Sequence, residues 1–543
     1  MENFDIIYIG HDYSNISKTK YILSNNFKNE LEKKLETAIL KNGIVEDNSI
    51  FGNILNVFLN KSENLKVISR SSETKLYQDN NERFDGVVGV LTNTISMSAE
   101  EILGSEKTDD IDKSKIDINI KLQIHSRMDI NEDVGADGMQ ENIEKPYFLS
   151  TLLLYGNLDN PTDEDIPNSY EDVFDFLLIF WFFQQIKDVC DKGFYRTYQR
   201  IERNDTRLKG TIDFARHIRL NLGQDNGKIA YSYREHTVDN FLNHLILSAY
   251  RCLKRKYPSL FDKLITSPQN SNVRDYISSL ENMLSYTNNR DSMLLFKNAK
   301  PISHPFYTEY EALRKTCIMI LQNEGISIFD DGNENSSKGI LYYIPDLWED
   351  YLEALLREKI DKGIDMESQD EIKIFDKKNT AKPDFVFYND KEKKEPFMIL
   401  DAKFRPKWEE AISGKVLYLD DYDKCIRDMN TINAHSTGVI FPVSGSEKIE
   451  QDEQNQDYSH KISEFNRYDR FYTFPIYVPR IKQNASYEKW YGEFMKSAGR
   501  DLKKIVGKIN EERDRYKERK GKLKKLSENL SKEKCEEIFQ MFF

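Results

Sequence analysis

Two neighbouring apolar stretches with charged side chains at their ends constrain the fold more than any other feature of the chain. The first, "DFVFY", begins at Asp384, and the second, "FMILDAKF", ends with Asp401 and Lys403 after a continuous apolar run. Residues two apart in a strand face the same side, so Asp401 and Lys403 share a face. A continuous apolar run is typical of a buried central strand, where a charged group is unfavourable unless it has a partner. We therefore expect a hairpin whose charged residues form a site.

The chemistry of such a site follows from the residue types. If the two strands are neighbours, the carboxylates of Asp384 and Asp401 approach and repel each other, and a divalent cation relieves this repulsion. Oxygen ligands favour Mg²⁺ or Mn²⁺ over Zn²⁺. The amine of Lys403 would lie beside the metal, where it can orient or deprotonate a water or stabilise the charge of a transition state. Metal-activated water beside a lysine is the chemistry of phosphodiester hydrolysis.

A helix expected over "IPDLWEDYLEALLREKI" supplies a third acid upstream of the hairpin. Glu349 is the candidate, while Asp350 and Glu353 lie on nearby faces and compete for the same role. An ordinary exposed helix acid is the alternative reading of Glu349, and a solvated hairpin with incidental charges is the alternative reading of the whole set. We predict Asp384, Asp401 and Glu349 as metal ligands and as catalytic residues together with Lys403.

The hydrophobic periodicity predicts an α+β multidomain protein. Strand-like alternation predicts a β-rich domain over 1–165, and helical spacing predicts a mainly helical middle domain over 166–338. Residues 339–480 follow the order helix, three strands, helix, strand and a last strand. The three strands are expected over "EIKIF", "DFVFY" and "FMILDAKF", and the last two over "TGVIFPV" and "RFYTFPIYV". Residues 481–543 form a charged helical extension, as a packed helix or a loose arm.

Composition and short motifs exclude several classes of protein. The net charge of −13 argues against a protein that coats nucleic acid through bulk charge, although a local basic groove stays compatible with it. Five widely spaced cysteines predict reduced thiols in a cytoplasmic protein. The start lacks a signal-peptide pattern, and the most apolar run, 173–186, is too short to span a membrane. No GxxxxGK[ST] motif occurs, so nucleotide hydrolysis would need a partner.

Several of these motifs resemble known families. Pro383-Asp384 followed by Asp401-Ala402-Lys403 resembles the PD-(D/E)xK nuclease signature, which lies on an αβββαβ core. The stretches "RLKGTIDFARHIRLNL" (207–222), "YSYREHTVDNFLNHLIL" (231–247) and "LYYIPDLWEDYLEALL" upstream of the hairpin resemble the McrC subunits of McrBC-type restriction systems. This ordered set spans about residues 195–405, and residues 1–165 fit the family more loosely.

The resemblance implies a magnesium-dependent DNA endonuclease subunit that takes part in phage defence. Proteins of this family dock through the N-terminal part onto McrB, a hexameric AAA+ GTPase, and stimulate its GTP hydrolysis, while McrB recognises modified cytosine in double-stranded DNA. The helix after the hairpin departs from many related nucleases, because it supplies Tyr422, Lys424 and Arg427 but no Gln. In this it is more similar to LlaJI-type relatives, which cut unmodified sites, so the requirement for a modified base stays open.

Two other functions stay open from the sequence. The chain could be a non-catalytic assembly and activator subunit that docks into an AAA+ ring, although the intact Asp384, Asp401 and Lys403 set argues against this. It could also be a stand-alone repair-type nuclease, which the net acidity and the lack of an obvious DNA-binding module disfavour.

The middle motif allows two readings of its polar residues. Six of them could face DNA or bridge domains: Arg207, Lys209, Arg216, His217, Asn240 and Asn243. The alternative is structural, with Gly210 permitting a turn and Asp213 capping a helix. We favour the structural reading.

Overall fold

The chain forms two compact units. The structure, a computed structural model, describes residues 4–14, 20–23, 54–59, 68–69, 76–78, 83–97, 116–129, 145–158, 161–170, 172–224, 226–284, 291–322, 338–369, 372–375, 379–390, 395–406, 408, 419–445, 459–461, 470–482 and 485–529. The first unit comprises Met1–Leu91, Ser96–Glu171 and Leu341–Phe543, and the second comprises Thr92–Ile95 and Asp172–Ile340. Both helices and several sheets are present, so the protein is a mixed α/β chain; the division into four domains stays a prediction.

A five-stranded sheet carries the N-terminal part of the first unit. Across the sheet, the strands follow the order Lys338–Tyr343, Val87–Met97, Ile116–His125, Phe4–His11 and Lys20–Leu23. Phe4–His11 runs parallel to Ile116–His125 and antiparallel to Lys20–Leu23. Val87–Met97 and Ile116–His125 agree with the strand-like alternation that the sequence shows over 1–165. A short antiparallel pair, Tyr77–Gln78 with Arg83–Phe84, lies outside this sheet.

A cluster of aromatic side chains lies in the core of the first unit. The helix Tyr147–Leu154 is buried along its whole length, and a single 3₁₀ turn, Asp163–Asp165, follows it. The ring of Phe148 lies 6.2 Å from that of Trp348 and 6.0 Å from those of Phe404 and Phe494. These aromatic pairs join stretches that are far apart in sequence, at distances typical of favourable ring contacts.

A six-stranded sheet carries the predicted site. Across the sheet, the strands follow the order Asp365–Ser368, Phe385–Tyr388, Pro396–Ala402, Ser436–Gly445, Arg470–Pro479 and Ser459–Lys461. The first three strands pair with one another in antiparallel fashion, and Ser436–Gly445 runs parallel to the strands on both of its sides. A parallel pair needs a crossover connection, and the helix Leu419–Ile432 lies in the connection between Pro396–Ala402 and Ser436–Gly445. The helix Ile344–Lys359 precedes the sheet in the chain.

One strand of this sheet differs from the prediction. The stretch "EIKIF" is a strand as expected, Ile372–Phe375, but it pairs with Asn379–Ala381 in a separate two-stranded sheet and not in the sheet that contains "DFVFY". Asp365–Ser368 takes the place beside Phe385–Tyr388. This edge strand has only four residues, and Met366 is its buried side chain, so its apolar alternation is too weak to stand out in the sequence.

The C-terminal extension is a packed helix over its first half. Tyr487–Asn529 forms one continuous helix. A stripe at spacings of three and four residues is buried, as expected for a helix face on a core: Tyr487, Trp490, Phe494, Ala498, Leu502, Ile505 and Ile509. The alternative of a loose arm is therefore wrong for this half of the helix.

The second unit is built mainly of helices. In the described part they are Val173–Cys190, Phe214–Asn221, Phe241–Lys256, Pro258–Thr266, Ser271–Met283, Asp291–Lys297 and Glu309–Gln322, with a 3₁₀ turn at Pro268–Asn270. Val173–Cys190, Phe241–Lys256 and Glu309–Gln322 agree with the helical spacing that the sequence shows in this part of the chain. None of the described helices is both long and apolar enough to cross a membrane.

The second unit also contains a sheet that the sequence reading did not predict. Thr197–Asp205 and Ile229–Thr237 pair along nine residues in antiparallel fashion, and the short strand Thr211–Ile212 pairs with the second of them. We call the two long strands the ribbon.

The middle motif has the structural role that the sequence reading favoured. Gly210 has φ +102°, and a Cβ there would lie 2.6 Å from the Ser232 carbonyl oxygen, so only glycine fits. The Asp213 carboxylate accepts a hydrogen bond from the Arg216 backbone N–H at 3.1 Å and caps its helix. Asn240 caps the helix Phe241–Lys256 in the same way.

Candidate active site

The hairpin places Asp384 opposite Asp401. Phe385 pairs with Leu400 in antiparallel register, so the residue before Phe385 faces the one after Leu400. The Asp384 carboxylate accepts a hydrogen bond from the Ala402 backbone N–H at 2.6 Å, which fixes it at the end of the neighbouring strand. The apolar run before Asp401 is 0–2% exposed, as the continuous pattern predicted.

Two lysines neutralise the Asp401 carboxylate. Asp401 is 4% exposed, Lys403 Nζ lies against its Oδ2, and Lys424 Nζ lies 2.8 Å from its Oδ1. Burial by itself would raise the pKa of Asp401, but the two ammonium groups outweigh burial and lower that pKa below its usual value. Asp401 is therefore an ionised carboxylate at neutral pH.

Asp384 has the opposite electrostatic environment. Burial raises its pKa well above the ordinary value, and the neighbouring carboxylates of Asp401 and Glu349 raise it further. Two carboxylates with pKa values driven apart in one site are a pattern found at functional centres. The site therefore favours a proton or a cation beside Asp384.

The helix Ile344–Lys359 brings Glu349 to the same place. Its side chain receives a hydrogen bond from the Gln369 amide, and its carboxylate is near enough to raise the pKa of Asp384. The competing acids behave differently: Glu353 pairs with Arg357 at 2.8 Å, and Asp350 is exposed. Of the three candidate acids, Glu349 is the one for which this contact with Asp384 is seen.

Lys403 is held by a second carboxylate that the sequence reading did not identify. Its Nζ lies 3.4 Å from Asp421 Oδ1, and the indole N–H of Trp408 donates to Asp421 Oδ2 at 3.0 Å. Burial tends to lower the pKa of Lys403, but Asp401 and Asp421 raise it above the ordinary value. Lys403 therefore remains an ammonium ion at neutral pH, which suits charge stabilisation better than proton abstraction.

The helix Leu419–Ile432 contributes Asp421 and Lys424 to this cluster, but not Tyr422 or Arg427. Tyr422 packs against Phe471 at 5.0 Å between ring centroids, and Arg427 lies 3.5 Å from Asp428 with its side chain 66% exposed. Since Lys424 lies on a helix separated by sequence from the hairpin, spacing alone could not place it on Asp401.

The donor set fits a hard divalent cation. Asp384, Asp401 and Glu349 provide carboxylate oxygens, which are the ligands that Mg²⁺ and Mn²⁺ prefer. Asp401 Oδ2 is buried and receives no well-directed hydrogen bond although Lys403 lies against it, so it is an acceptor that still lacks a well-aligned partner. Within the described residues, no group of three or more His, Cys, Asp or Glu side chains is already spaced to hold a metal ion.

Comparison with known proteins supports the resemblance seen in the sequence. A family model described as "McrBC 5-methylcytosine restriction system component" matches residues 112–420, more than half of the chain. The chain belongs to this family. The part that matches the McrBC family contains Glu349, Asp384, Asp401 and Lys403, and it ends just before Asp421 and Lys424. No match was found among curated proteins.

Two solved structures from Thermococcus gammatolerans are similar to the chain. One is a refined half-complex from a tetradecameric assembly of McrB AAA+ hexamers with bound McrC, with 13% identity, a TM-score of 0.36, and coverage of 91% of this chain and 99% of the matched one. The other is the cryo-EM structure of the McrBC complex, with 13% identity, a TM-score of 0.24, and coverage of 65% and 87% respectively.

Proposed function

We propose that the chain is the DNA endonuclease subunit of an McrBC-type restriction complex. In this proposal it hydrolyses DNA phosphodiester bonds at a PD-(D/E)xK site formed by Glu349, Asp384, Asp401 and Lys403. One observation carries the proposal, which is that four charged side chains meet at the end of the hairpin. The strand register sets Asp384 opposite Asp401, Lys403 lies against Asp401, and Glu349 lies near the Asp384 carboxylate. Membership of the McrBC family supports it independently.

The residues of the site have separable roles in this proposal. Asp384, Asp401 and Glu349 would hold a Mg²⁺ or Mn²⁺ ion, which supplies an activated water and a Lewis acid when it is bound. Lys403, protonated and held between Asp401 and Asp421, stabilises negative charge that develops on the phosphate. Asp421, fixed by the Trp408 indole, is a positioning residue because it acts on the reaction only through Lys403.

The partner in this proposal is a hexameric AAA+ GTPase of the McrB kind. The chain belongs to the family of McrBC components, and in the Thermococcus gammatolerans assembly McrC is bound to McrB AAA+ hexamers. Docking through residues 1–165 and stimulation of GTP hydrolysis stay predictions, as does the cytoplasmic location. Whether the DNA must carry a modified cytosine is also set by the partner in this proposal.

The decisive experiment separates cleavage from partner activation. Lys403→Ala should abolish DNA cleavage by the reconstituted complex with Mg²⁺, because the charge beside the scissile phosphate is lost, while the GTPase stimulation stays at the wild-type level. Lys508→Ala is the matched control, since Lys508 makes an ion pair with Glu511 on the C-terminal helix. Retained cleavage by the Lys403→Ala complex would refute the assignment of the site.

A non-catalytic activator is the second candidate. It is favoured by one observation, that both oxygens of Asp401 already lie against lysines instead of being open to a cation. In that case the wild-type complex would stimulate GTP hydrolysis but cut no DNA at any concentration of Mg²⁺ or Mn²⁺.

A further inference from the structure

The ribbon carries an exposed row of aromatic and basic side chains on one face. Tyr198 pairs across the strands with His236, and Arg200 pairs with Arg234. All four side chains are exposed, Tyr198 to 73%. Because alternate residues of a strand share a face, these two successive cross-strand pairs form one continuous surface.

This row is unfavourable for the folded chain by itself. Like charges directly opposite each other in a sheet are destabilising, and Arg200 faces Arg234. In the part of the chain that the structure describes, Arg200 forms two long ion pairs, with Glu202 at 3.9 Å and with Asp213 at 4.0 Å, and its side chain is 62% exposed. The Tyr198 and His236 rings stack at 4.8 Å but stay open to solvent, so they contribute little to a core.

The charge of the surrounding sequence has the opposite sign to that of the chain. Residues 196–238 contain nine Lys and Arg against five Asp and Glu, whereas the whole chain has a net charge of −13. Some of these cations are already engaged: Arg216 binds Glu202 at 2.9 Å and the Arg203 carbonyl at 2.7 Å. Among the described residues, Arg200 has only the two long ion pairs above and no ion pair is seen for Arg234, so both guanidinium groups suit an anion such as phosphate.

We propose that this face of the ribbon, with Tyr198, Arg200, Arg234 and His236, binds the phosphate backbone of duplex DNA. A two-stranded ribbon has the dimensions that the major groove admits, and paired arginines suit the phosphates at its edges. Such contacts are independent of base sequence, so the ribbon holds DNA without selecting the site. This inference deepens the proposed function, on which it rests for the choice of DNA as ligand.

A protein partner is the competing occupant of this region. The neighbouring helix Phe214–Asn221 and its following residue expose apolar side chains: Phe214 is 71%, Ile218 is 54% and Leu222 is 77% exposed. Apolar exposure is typical of a protein-binding surface. The two cross-strand pairs are instead charged and aromatic, and for that reason the proposal assigns the ribbon face to DNA.

The test measures DNA binding without cleavage. The full chain with Lys403→Ala serves as the background, so that DNA is not cut. Into it we introduce Arg200→Ala and Arg234→Ala together. Arg251→Ala is the control, because Arg251 is 58% exposed in the same unit and lies 3.5 Å from Glu281. Binding of a fluorescent duplex of mixed sequence is followed by anisotropy over a series of salt concentrations. The double variant should bind at least about tenfold more weakly at low salt, while the control is unchanged. The slope of the logarithm of the binding constant against the logarithm of the salt concentration should also be smaller in magnitude, by about 0.9 for each phosphate that the arginines no longer neutralise.

The outcomes separate this inference from the proposed function. Wild-type affinity and slope in the double variant would overturn the inference and leave the nuclease assignment standing. Wild-type DNA binding together with lost GTPase stimulation would also overturn it, and would assign the ribbon to the AAA+ partner. If the chain with intact ribbon binds no duplex, alone or with its partner, both the inference and the proposed DNA substrate fail.

Discussion

Asp384 and Asp401 show how two identical side chains acquire different protonation from their surroundings. Asp401 lies between two ammonium groups, whereas Asp384 is buried beside the Asp401 and Glu349 carboxylates, so the pKa of Asp401 is lowered and that of Asp384 is raised. Carboxylates held close together repel one another, which is unfavourable for folding but suits the binding of a cation. The same residue that is proposed to bind metal should therefore destabilise the metal-free protein.

Replacement of Asp384 tests this conflict between stability and function. Consider pH values between the pKa of Asp384 in the unfolded chain and its raised pKa in the folded chain. In this range the folded state binds a proton that the unfolded state lacks, so the free energy of unfolding falls as the pH rises. Asn keeps an acceptor for the Ala402 N–H but has no charge. Asp384→Asn should therefore raise the melting temperature in EDTA at neutral pH by a few degrees, and this gain should shrink as pH is lowered and Asp384 becomes protonated.

The measurement is thermal unfolding of both proteins across a pH series, with DNA cleavage assayed in parallel. Cleavage should be lost in the variant even though it is more stable. Asp423→Asn, an exposed acid on the helix beside the site, controls for a general effect of removing one negative charge. A gain that does not depend on pH would contradict the proposed protonation of Asp384.

At the scale of elements, the sequence predicted those parts of the site that lie on strongly patterned strands. The continuous apolar run before Asp401 identified a buried central strand, and the helix Ile344–Lys359 followed from its spacing of apolar residues. The edge strand Asp365–Ser368 and the ribbon were not predicted, because the first is short and the second is largely exposed, so neither has a strong apolar pattern. Asp421 and Lys424 were not assigned to the site for another reason: their contacts with Lys403 and Asp401 are tertiary, and only the fold brings that helix beside the strand.

The C-terminal helix is an element whose packing can be measured separately from the chemistry. Trp490 is 1% exposed, donates its indole N–H to the Pro479 carbonyl at 2.8 Å and stacks on Phe494 at 5.4 Å. Trp490→Ala should lower the free energy of unfolding of the first unit by about 3–5 kcal/mol, since a large buried ring and its hydrogen bond are both removed. Lys489→Ala, the exposed neighbour, should change it by less than about 0.5 kcal/mol in the same urea titration. Equal midpoints for the two variants would show that the helix is not packed as described.

At the scale of the molecule, the first unit is assembled from the two ends of the sequence. Arg127 reaches from the end of one N-terminal strand to the residue after Lys403: its guanidinium donates to the Phe404 carbonyl at 2.9 Å and lies 4.8 Å from the Phe404 ring centroid. The Tyr147 hydroxyl donates to the Ala485 carbonyl at 2.8 Å, before the C-terminal helix. Contacts between residues hundreds of positions apart leave no trace in local periodicity, so this assembly from both ends could not be predicted from the sequence.

These contacts predict that residues 1–165 do not fold as an isolated fragment. The helix Tyr147–Leu154 is buried along its whole length, and in the fragment Phe148 would be without Trp348, Phe404 and Phe494 and would leave its apolar surface in water.

Residues 1–171 produced alone should show no cooperative thermal transition by circular dichroism and should bind a hydrophobic dye, whereas co-expression with residues 338–543 should yield a complex that melts cooperatively. Residues 172–337 produced alone are the control, since they form most of the second unit. A cooperative transition in the isolated N-terminal fragment would show instead that its five-stranded sheet is stable by itself, and GTPase stimulation could then be tested on that fragment without the rest of the chain.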